Sequence, residues 1–369
     1  VTTTSRGAAR PKGRGAPTIH DVAALAGVSK SLVSLVLRGS PHVSDARRKT
    51  VLKAIDDLGY RPNTMARSLV ERRTHIVGVV ISDMRNPWYV DLVENFQMLM
   101  SERGMSVLLG NGRLDARTDE SLVEAFLRLR VDGLFLVGSL PLTDAIVASA
   151  RSVPTVVGSS RDMKLPRVDT VVNDDYLGAT LAVEHLVALG HGRIAHLGGR
   201  RGTVALARRA GYEEAMSRHG LGGETRTEWC DFTEASGYEG ASRLLRGRRP
   251  PTAIVGLNDV ACIGALSAAD ERGITVPDQL SLVGYDNTSL AAMRRISLTT
   301  VDPMNGEVGR VAAKMLSERI LHPGRPGVER LIEPRLVPRG SSAPPERARA
   351  TNRARVSAGT RAPRPGPTN

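Results

Sequence analysis

Between Thr18 and Gly59 the apolar residues recur at helical spacing in three short runs. In the first, Ile19, Val22, Ala23 and Ala26 share one face, and Thr18 ahead of them suits an N-cap. Gly27 and Val28 make a sharp turn, and Ser29 caps a second helix running to about Leu37. Ser44 is the expected cap of a third helix, with Val51, Leu52, Ile55 and Leu58 facing inward and Gly59 stopping it. Short helix, glycine turn, capped helix is the helix-turn-helix pattern, whose second helix enters the major groove of DNA. A generic three-helix bundle is the competing reading.

From Ile76 the texture changes to apolar runs alternating with amphipathic ones. IVGVVIS (76–82) predicts a buried strand, 87–104 a helix, MSVLLGN (105–111) a strand, 120–130 a helix and GLFLVG (133–138) a strand. The alternation continues through strands at 155–159 and 168–173, a helix at 177–190 and a strand at 193–199. AIVGLN (253–258), a helix near 259–273 and LSLVGYDN (280–287) follow. Strands alternating with helices predict doubly wound parallel sheets, and their number is too large for one sheet, so two α/β lobes are expected.

Charge separates these regions. The 369-residue chain carries a net +13, yet residues 1–75 hold 14 Lys and Arg against 5 Asp and Glu, and residues 339–369 hold 7 Arg against 1 Glu. The stretch between them is near neutral, so a polyanionic partner should be met by the N-terminal module. Residues 1–17 are small, basic and rich in Gly and Pro, and are expected to be disordered. The tail from Arg339 contains no Leu, Ile, Met or aromatic residue, so it too is expected to be disordered and offers no coiled coil for assembly.

Two cysteines, Cys230 and Cys262, lie at no metal-ligand spacing, and His42 has no second ligand nearby, so no metal is expected. No apolar stretch reaches the ~20 residues of a membrane span and nothing reads as a signal peptide, so a soluble, cytoplasmic protein is expected, with no membrane partner. No P-loop, dinucleotide fingerprint or nucleophile elbow appears. Neither an enzyme nor a cofactor is expected, and a transport-type solute-binding protein is disfavoured by the DNA reader attached to the core.

Candidate ligand residues cluster after predicted strands, where ligands of open α/β sheets sit. Trp88 and Tyr89 follow the strand at 76–82, Arg208 follows 193–199, Asn258 ends AIVGLN and Asp286 ends LVGYD. With only 2 Trp, 6 Tyr and 4 Phe in the chain, two adjacent aromatics on a loop stand out. Structural alternatives stay open: Tyr89 suits the helix core, and Asn258 and Asp259 suit helix caps, as do Asp174 and Asp175.

The ordered motifs TIHDVAALAGVS, the VS at 43–44, LGYRPN, ARSL (66–69), VDGLFLVG, AVEHLVALGH, RRAGY, LNDVACIGAL, VPDQLSLVGYDN and LTTVDP resemble the lactose-repressor (LacI/GalR) family of bacterial transcription regulators. The resemblance spans about 18–338. It implies an α-helical helix-turn-helix DNA-binding headpiece plus a two-lobed α/β core like periplasmic sugar-binding proteins, a small effector between the lobes, and a homodimer on operator DNA, expected to be pseudo-palindromic. The implied domains are the headpiece at 18–62, a hinge helix and linker at 63–75, and the core at 76–338. Lobe 1 takes about 76–173 and 303–331, and lobe 2 about 174–302 and 332–338.

By the same resemblance, Lys30, Ser31 and Leu35 face bases, with Ser29 at the start of their helix, while Thr18, Ser34, His42 and Arg47 reach phosphates. The family usually has a polar residue at the Leu35 position and often threonine where Leu32 stands. No relative's operator therefore transfers, and Leu35 suits either thymine methyls or packing. Asn63 caps the expected hinge helix, Ala66 permits close approach, and Leu69 wedges a base step in the minor groove. Asp286 and Arg208 are implied to bind hydroxyls or polar ring atoms, Asn258 to add a hydrogen bond, and Trp88, Tyr89 and Phe232 to form walls. A sugar is the expected effector, with a purine or nucleoside as the alternative, and repression the expected regulatory sense.

Overall fold

The computed structural model describes residues 17–346 except 38, 62–72, 139, 164 and 166. The chain forms two compact units, with the boundary between Thr74 and His75.

The first unit holds α1 (Ile19–Ala26), α2 (Lys30–Leu37) and α3 (Asp45–Leu58). Thr18 and Asp21 close a capping box: the Asp21 N–H donates to the Thr18 hydroxyl at 3.4 Å, and the Asp21 carboxylate accepts from the Thr18 N–H at 2.8 Å. Gly27 ends α1 at φ 62°, a left-handed conformation that glycine adopts without strain, and α2 departs at 105° to α1. Helices of eight residues are unstable alone. They persist here because Val22, Val33 and Val51 are fully buried, each worth roughly 1.5–3 kcal/mol.

Two expectations for α3 change. Ser44 occupies the N-cap position but its side chain makes no cap bond; only its carbonyl takes part, accepting from the Arg48 N–H. Leu52 is 51% exposed. Val51, Ala54, Ile55 and Leu58 complete the inward stripe at i, i+3, i+4 and i+7, which leaves Leu52 about 100° off that face.

The second unit is built in three crossings between lobes. Lobe 1 takes β1 (Ile76–Ile81), α4 (Trp88–Glu102), β2 (Ser106–Asn111), α5 (Ala116–Arg128), β3 (Gly133–Val137), α6 (Asp144–Ser152), β4 (Thr155–Gly158) and β5 (Asp169–Asn173). Lobe 2 follows with α7 (Asp175–Ala188), β6 (Ile194–Gly198), α8 (Thr203–Arg218), β7 (Arg226–Trp229), α9 (Glu234–Leu245), β8 (Ala253–Val255), α10 (Asp259–Asp270), β9 (Ser281–Tyr285) and β10 (Thr299–Asp302). The chain returns to lobe 1 for α11 (Asn305–Leu321) and β11 (Glu329–Ile332), then crosses again for β12 (Arg335–Val337).

The sheet orders are β11-β5-β4-β3-β1-β2 and β12-β10-β9-β8-β6-β7, parallel except where β12 meets β10. Alternate strand residues feed opposite faces. Val77, Val79, Ile81, Phe135 and Val137 join one cluster, and Val80, Leu134 and Leu136 join the other. Helices cover both faces, so β3 is buried at every position. In each sheet the order reverses beside its first strand, at β2-β1-β3 and at β7-β6-β8, and ligand crevices lie past the carboxyl ends of strands at such reversals.

The tail expectation is corrected at its start. Ser341 is 2% exposed; its hydroxyl donates to Leu282 O at 2.7 Å and accepts from the Thr299 N–H at 2.8 Å. Arg339 donates to Asn287 Oδ1 and Leu298 O. These polar residues are ordered by hydrogen bonds to β9, β10 and their loops, a route that an apolar pattern does not register.

Candidate functional site

In the headpiece, Lys30 and Ser31 are exposed in the first turn of α2, and Ser34 and Leu35 are half-buried. Leu32 and Leu35 both pack against the headpiece core, which holds part of the Leu35 surface away from any partner. The Ser29 hydroxyl accepts from the Leu32 N–H at 3.2 Å, and the Thr18 hydroxyl belongs to the capping box. His42 and Arg47 are exposed, whereas Arg48 donates to Ser40 O at 2.6 Å and ties α3 to the preceding loop. Asn63, Ala66 and Leu69 lie outside the described residues.

In the core, a cavity of about 400 Å³ opens between the lobes past the strand ends. Five of the six effector candidates line it: Trp88, Tyr89, Arg208, Phe232 and Asp286. From lobe 1, the Asn86 side chain accepts from the Trp88 N–H at 3.0 Å and sets the start of α4. Trp88 and Tyr89 meet edge to face at 4.8 Å. The Tyr89 hydroxyl accepts from the Ser82 N–H at 3.3 Å, and burial pushes its pKa up. Tyr89 belongs to the α4 core and to the cavity wall alike. Gly138 permits this, since a Cβ there would stand 2.4 Å from the tyrosine oxygen.

Lobe 2 contributes the charges. Arg208 on α8 is buried, with Nε on Asp175 Oδ1 at 2.9 Å and Nη1 on Leu257 O at 2.5 Å. Its Nη2 stands 3.6 Å from Asp286 Oδ1, beyond hydrogen-bond distance, and the guanidinium lies over the Tyr285 ring at 3.5 Å. Close approach of α7 and α8 fixes this placement, because a Cβ on Gly211 would stand 2.2 Å from Tyr176 O. One guanidinium between two buried carboxylates leaves an excess negative charge. Burial raises the pKa of both Asp175 and Asp286, and Arg208 only partly opposes it.

Asp286 has φ 107°, outside the conformations ordinary residues favour. Its loop is held by Asp259, which accepts from the Thr288 N–H and hydroxyl and from the Thr300 hydroxyl. Burial pushes the Asp259 pKa up to about 6.

The structure corrects Asn258. It is fully buried and absent from the cavity wall: its Oδ1 caps α10 by accepting from the Ala261 N–H at 2.9 Å, and its Nδ2 donates to Phe232 O at 3.3 Å. Both ends of its amide bond to backbone, so it positions the loop bearing Phe232. Of Asp174 and Asp175, both suited to cap a helix, only one does so. Asp174 caps α7 by accepting from the Leu177 N–H, while Asp175 enters the cavity. The sequence reading missed Ser159 and Asn173, which line the cavity joined by a 2.9 Å hydrogen bond, and the Asp83–Arg85 pair at its lobe 1 edge. Serine, asparagine and a lone surface pair carry no spacing signal. Among the described residues no group of three or more His, Cys, Asp or Glu is arranged to hold a metal, and no single helix is long and apolar enough to cross a membrane.

A helix-turn-helix unit with a basic setting and a two-lobed core with a ligand-sized cleft define a ligand-responsive DNA-binding regulator. Residues 18–63 match the model for bacterial regulatory proteins of the lacI family, and residues 183–342 the model for a periplasmic binding protein-like domain. The HTH-type transcriptional repressor PurR of Mannheimia succiniciproducens is 33% identical over 330 residues, covering 88% of this chain and 98% of the relative. The lac repressor dimer bound to operator and the anti-inducer ONPF is 29% identical with a TM-score of 0.78, over 89% of this chain and 100% of that one. A complex of the transcriptional regulator CelR with cellobiose is 32% identical with a TM-score of 0.66, over 88% and 100%. The chain belongs to the lacI family of bacterial transcription regulators, with a DNA-binding headpiece and an effector-binding core. Its relatives are transcriptional regulators rather than enzymes.

Proposed function

We propose that this regulator is a cytoplasmic, homodimeric repressor whose effector is a neutral, unphosphorylated sugar. The observation that carries the effector class is Arg208 held between Asp175 and Asp286 in the cleft. A guanidinium and carboxylates make paired, charge-assisted hydrogen bonds to vicinal hydroxyls. Trp88 and Phe232 supply apolar faces for the ring. Apart from the Arg208 cluster, the cavity wall carries Asp83, Asp231 and Glu234 against Arg85, an acidic balance that opposes a phosphate group.

In this reading Lys30 and Ser31 contact base edges, and Thr18, Ser34, His42 and Arg47 contact the backbone. The segment holding Asn63, Ala66 and Leu69 forms the paired hinge in the minor groove. Effector binding favours one lobe arrangement and thereby changes operator affinity, which requires different affinities for the two arrangements. A purine or nucleoside effector is the second reading, favoured by the three aromatic side chains in the cleft, Trp88, Tyr89 and Phe232.

Thermal unfolding of the full chain against monosaccharides and disaccharides, their 6-phosphates and nucleosides tests this. A neutral sugar at about 100 times its Kd stabilises by roughly 2.7 kcal/mol, and its phosphate ester gives no shift. Stabilisation by the esters alone overturns the charge argument, and stabilisation by nucleosides alone selects the second reading.

A further inference from the structure

Helix α8 begins without a cap of its own. Gly202 stands at its N-cap position and offers no side chain to the first N–H groups. The missing acceptor comes from the other lobe. Asp162, on the loop after β4, accepts from the Thr203 N–H, with Oδ1 at 3.2 Å and Oδ2 at 3.4 Å. Beside it, the Arg161 N–H donates to the Thr203 hydroxyl at 3.2 Å.

The lobe 1 side of this contact is braced. The Asp162 N–H donates to the Ser160 hydroxyl at 3.2 Å, and the Arg161 guanidinium pairs with Glu329 of β11 at 3.4 Å. Ser160 itself is buried next to Ser159, which faces the cavity. On the lobe 2 side, α8 carries Arg208 further along its length. A carboxylate at a helix N-terminus is favoured both as a hydrogen-bond acceptor and by the helix dipole.

We propose that Asp162 is a cross-lobe helix cap: it latches the cleft shut on this side and positions α8, and with it Arg208, for the effector. Moving the lobes apart here uncaps α8, so the latch sets how often the cleft is closed before any effector arrives. Asp162 acts through α8 and is a positioning residue. The link from latch to operator affinity rests on the effector-switch reading above; the latch itself does not.

The test uses the full chain with spin labels at Arg128→Cys in lobe 1 and Glu239→Cys in lobe 2, both side chains being 70% exposed and both native cysteines buried. Pulsed electron-spin distances are compared for the Asp162 parent, Asp162→Ala and Asp162→Asn. Loss of a cap moves the closed-to-open ratio about fivefold toward open in Asp162→Ala. Asp162→Asn shifts less than Asp162→Ala, because its amide oxygen still accepts although the charge facing the helix dipole is gone. Superimposable distributions for all three proteins overturn the latch. Operator affinity, measured on the same proteins by fluorescence anisotropy, separates the two readings. A distance shift with unchanged operator affinity upholds the latch and refutes the effector switch.

Discussion

Each lobe buries an arginine against aspartate, and the two sites are mirror images in charge. In lobe 1, Asp169 is fully buried and receives both Arg319 and Arg325, along with the Val328 N–H. Every nitrogen of the Arg319 guanidinium has a partner, in Asp169 or the carbonyls of Arg325 and Pro326. Burial alone would raise the Asp169 pKa, yet these donors outweigh it and hold the carboxyl below its usual range. In lobe 2, one guanidinium serves two carboxylates, one contact is 3.6 Å long, and burial wins, so both pKa values rise. Full pairing of Arg319 with Asp169 and backbone carbonyls marks that pair as scaffold, joining β5, α11 and the lead into β11, although the neighbouring Arg325 keeps an unpartnered Nε. Incomplete pairing beside a cavity marks the second as a site awaiting polar groups.

The sharpest way to break this comparison is to remove the anion from lobe 1. Asp169→Ala leaves the buried Arg319 without a counter-ion and Arg325 with Glu318 alone, and guanidiniums do not shed protons at accessible pH. A loss of about 3–5 kcal/mol is expected in denaturant unfolding, with no recovery at any pH. A loss under 1 kcal/mol contradicts the scaffold role.

Arg208→Leu should behave differently. Its effector affinity falls about 100-fold, the worth of one or two charge-assisted hydrogen bonds at roughly 1.5–3 kcal/mol each. Its stability at pH 7.5 falls too, because Asp175 and Asp286 then face each other unpaired. The sign of the pH dependence follows from their raised pKa values. A carboxyl with a higher pKa folded than unfolded binds more protons when folded, so stability is greatest at low pH and declines as pH rises above the unfolded value near 3.8. Removing the guanidinium steepens that decline, so the variant approaches its parent's stability as the pH is lowered toward 5. Unfolding curves of variant and parent at pH 5 and 7.5 check this; a constant gap would show that the two carboxylates are not coupled to Arg208.

The contrast also explains what sequence patterns reveal. Repeating apolar spacing gave access to the three headpiece helices and the strand–helix alternation, because burial of one face is a periodic property. Edge strand β7, half-buried along its length, has no such run and passed unnoticed. Asp286 could be singled out because charged residues just past apolar strands seldom serve the core, and Arg208 because it lies in RRAGY, one of the motifs that carry the family resemblance. Asp175 was harder to judge than Asp174: the two are adjacent at a helix start, and only the angle at which the chain enters α7 decides which one caps. Ordering at 339–343 escaped because it depends on hydrogen bonds from Ser341 and Arg339, which apolar patterning does not encode.

Asn258 lies between the two cases, since it stands at a strand end like a ligand residue yet bonds backbone at both ends of its amide like scaffold. Asn258→Ala removes the α10 cap at a cost of about 1 kcal/mol in stability. It also frees the Phe232 carbonyl, so the aromatic wall loosens and effector affinity falls by less than tenfold, well short of the Arg208→Leu loss. Asn258→Ser separates these two effects, because a serine hydroxyl can still accept from the Ala261 N–H but the amide that donates to Phe232 O is gone. Recovered stability with weakened effector binding is expected in calorimetric titration against the sugar found by thermal screening. If Asn258→Ala instead abolishes binding as completely as Arg208→Leu, the amide reaches the effector directly, and its backbone bonds do not mark it as scaffold.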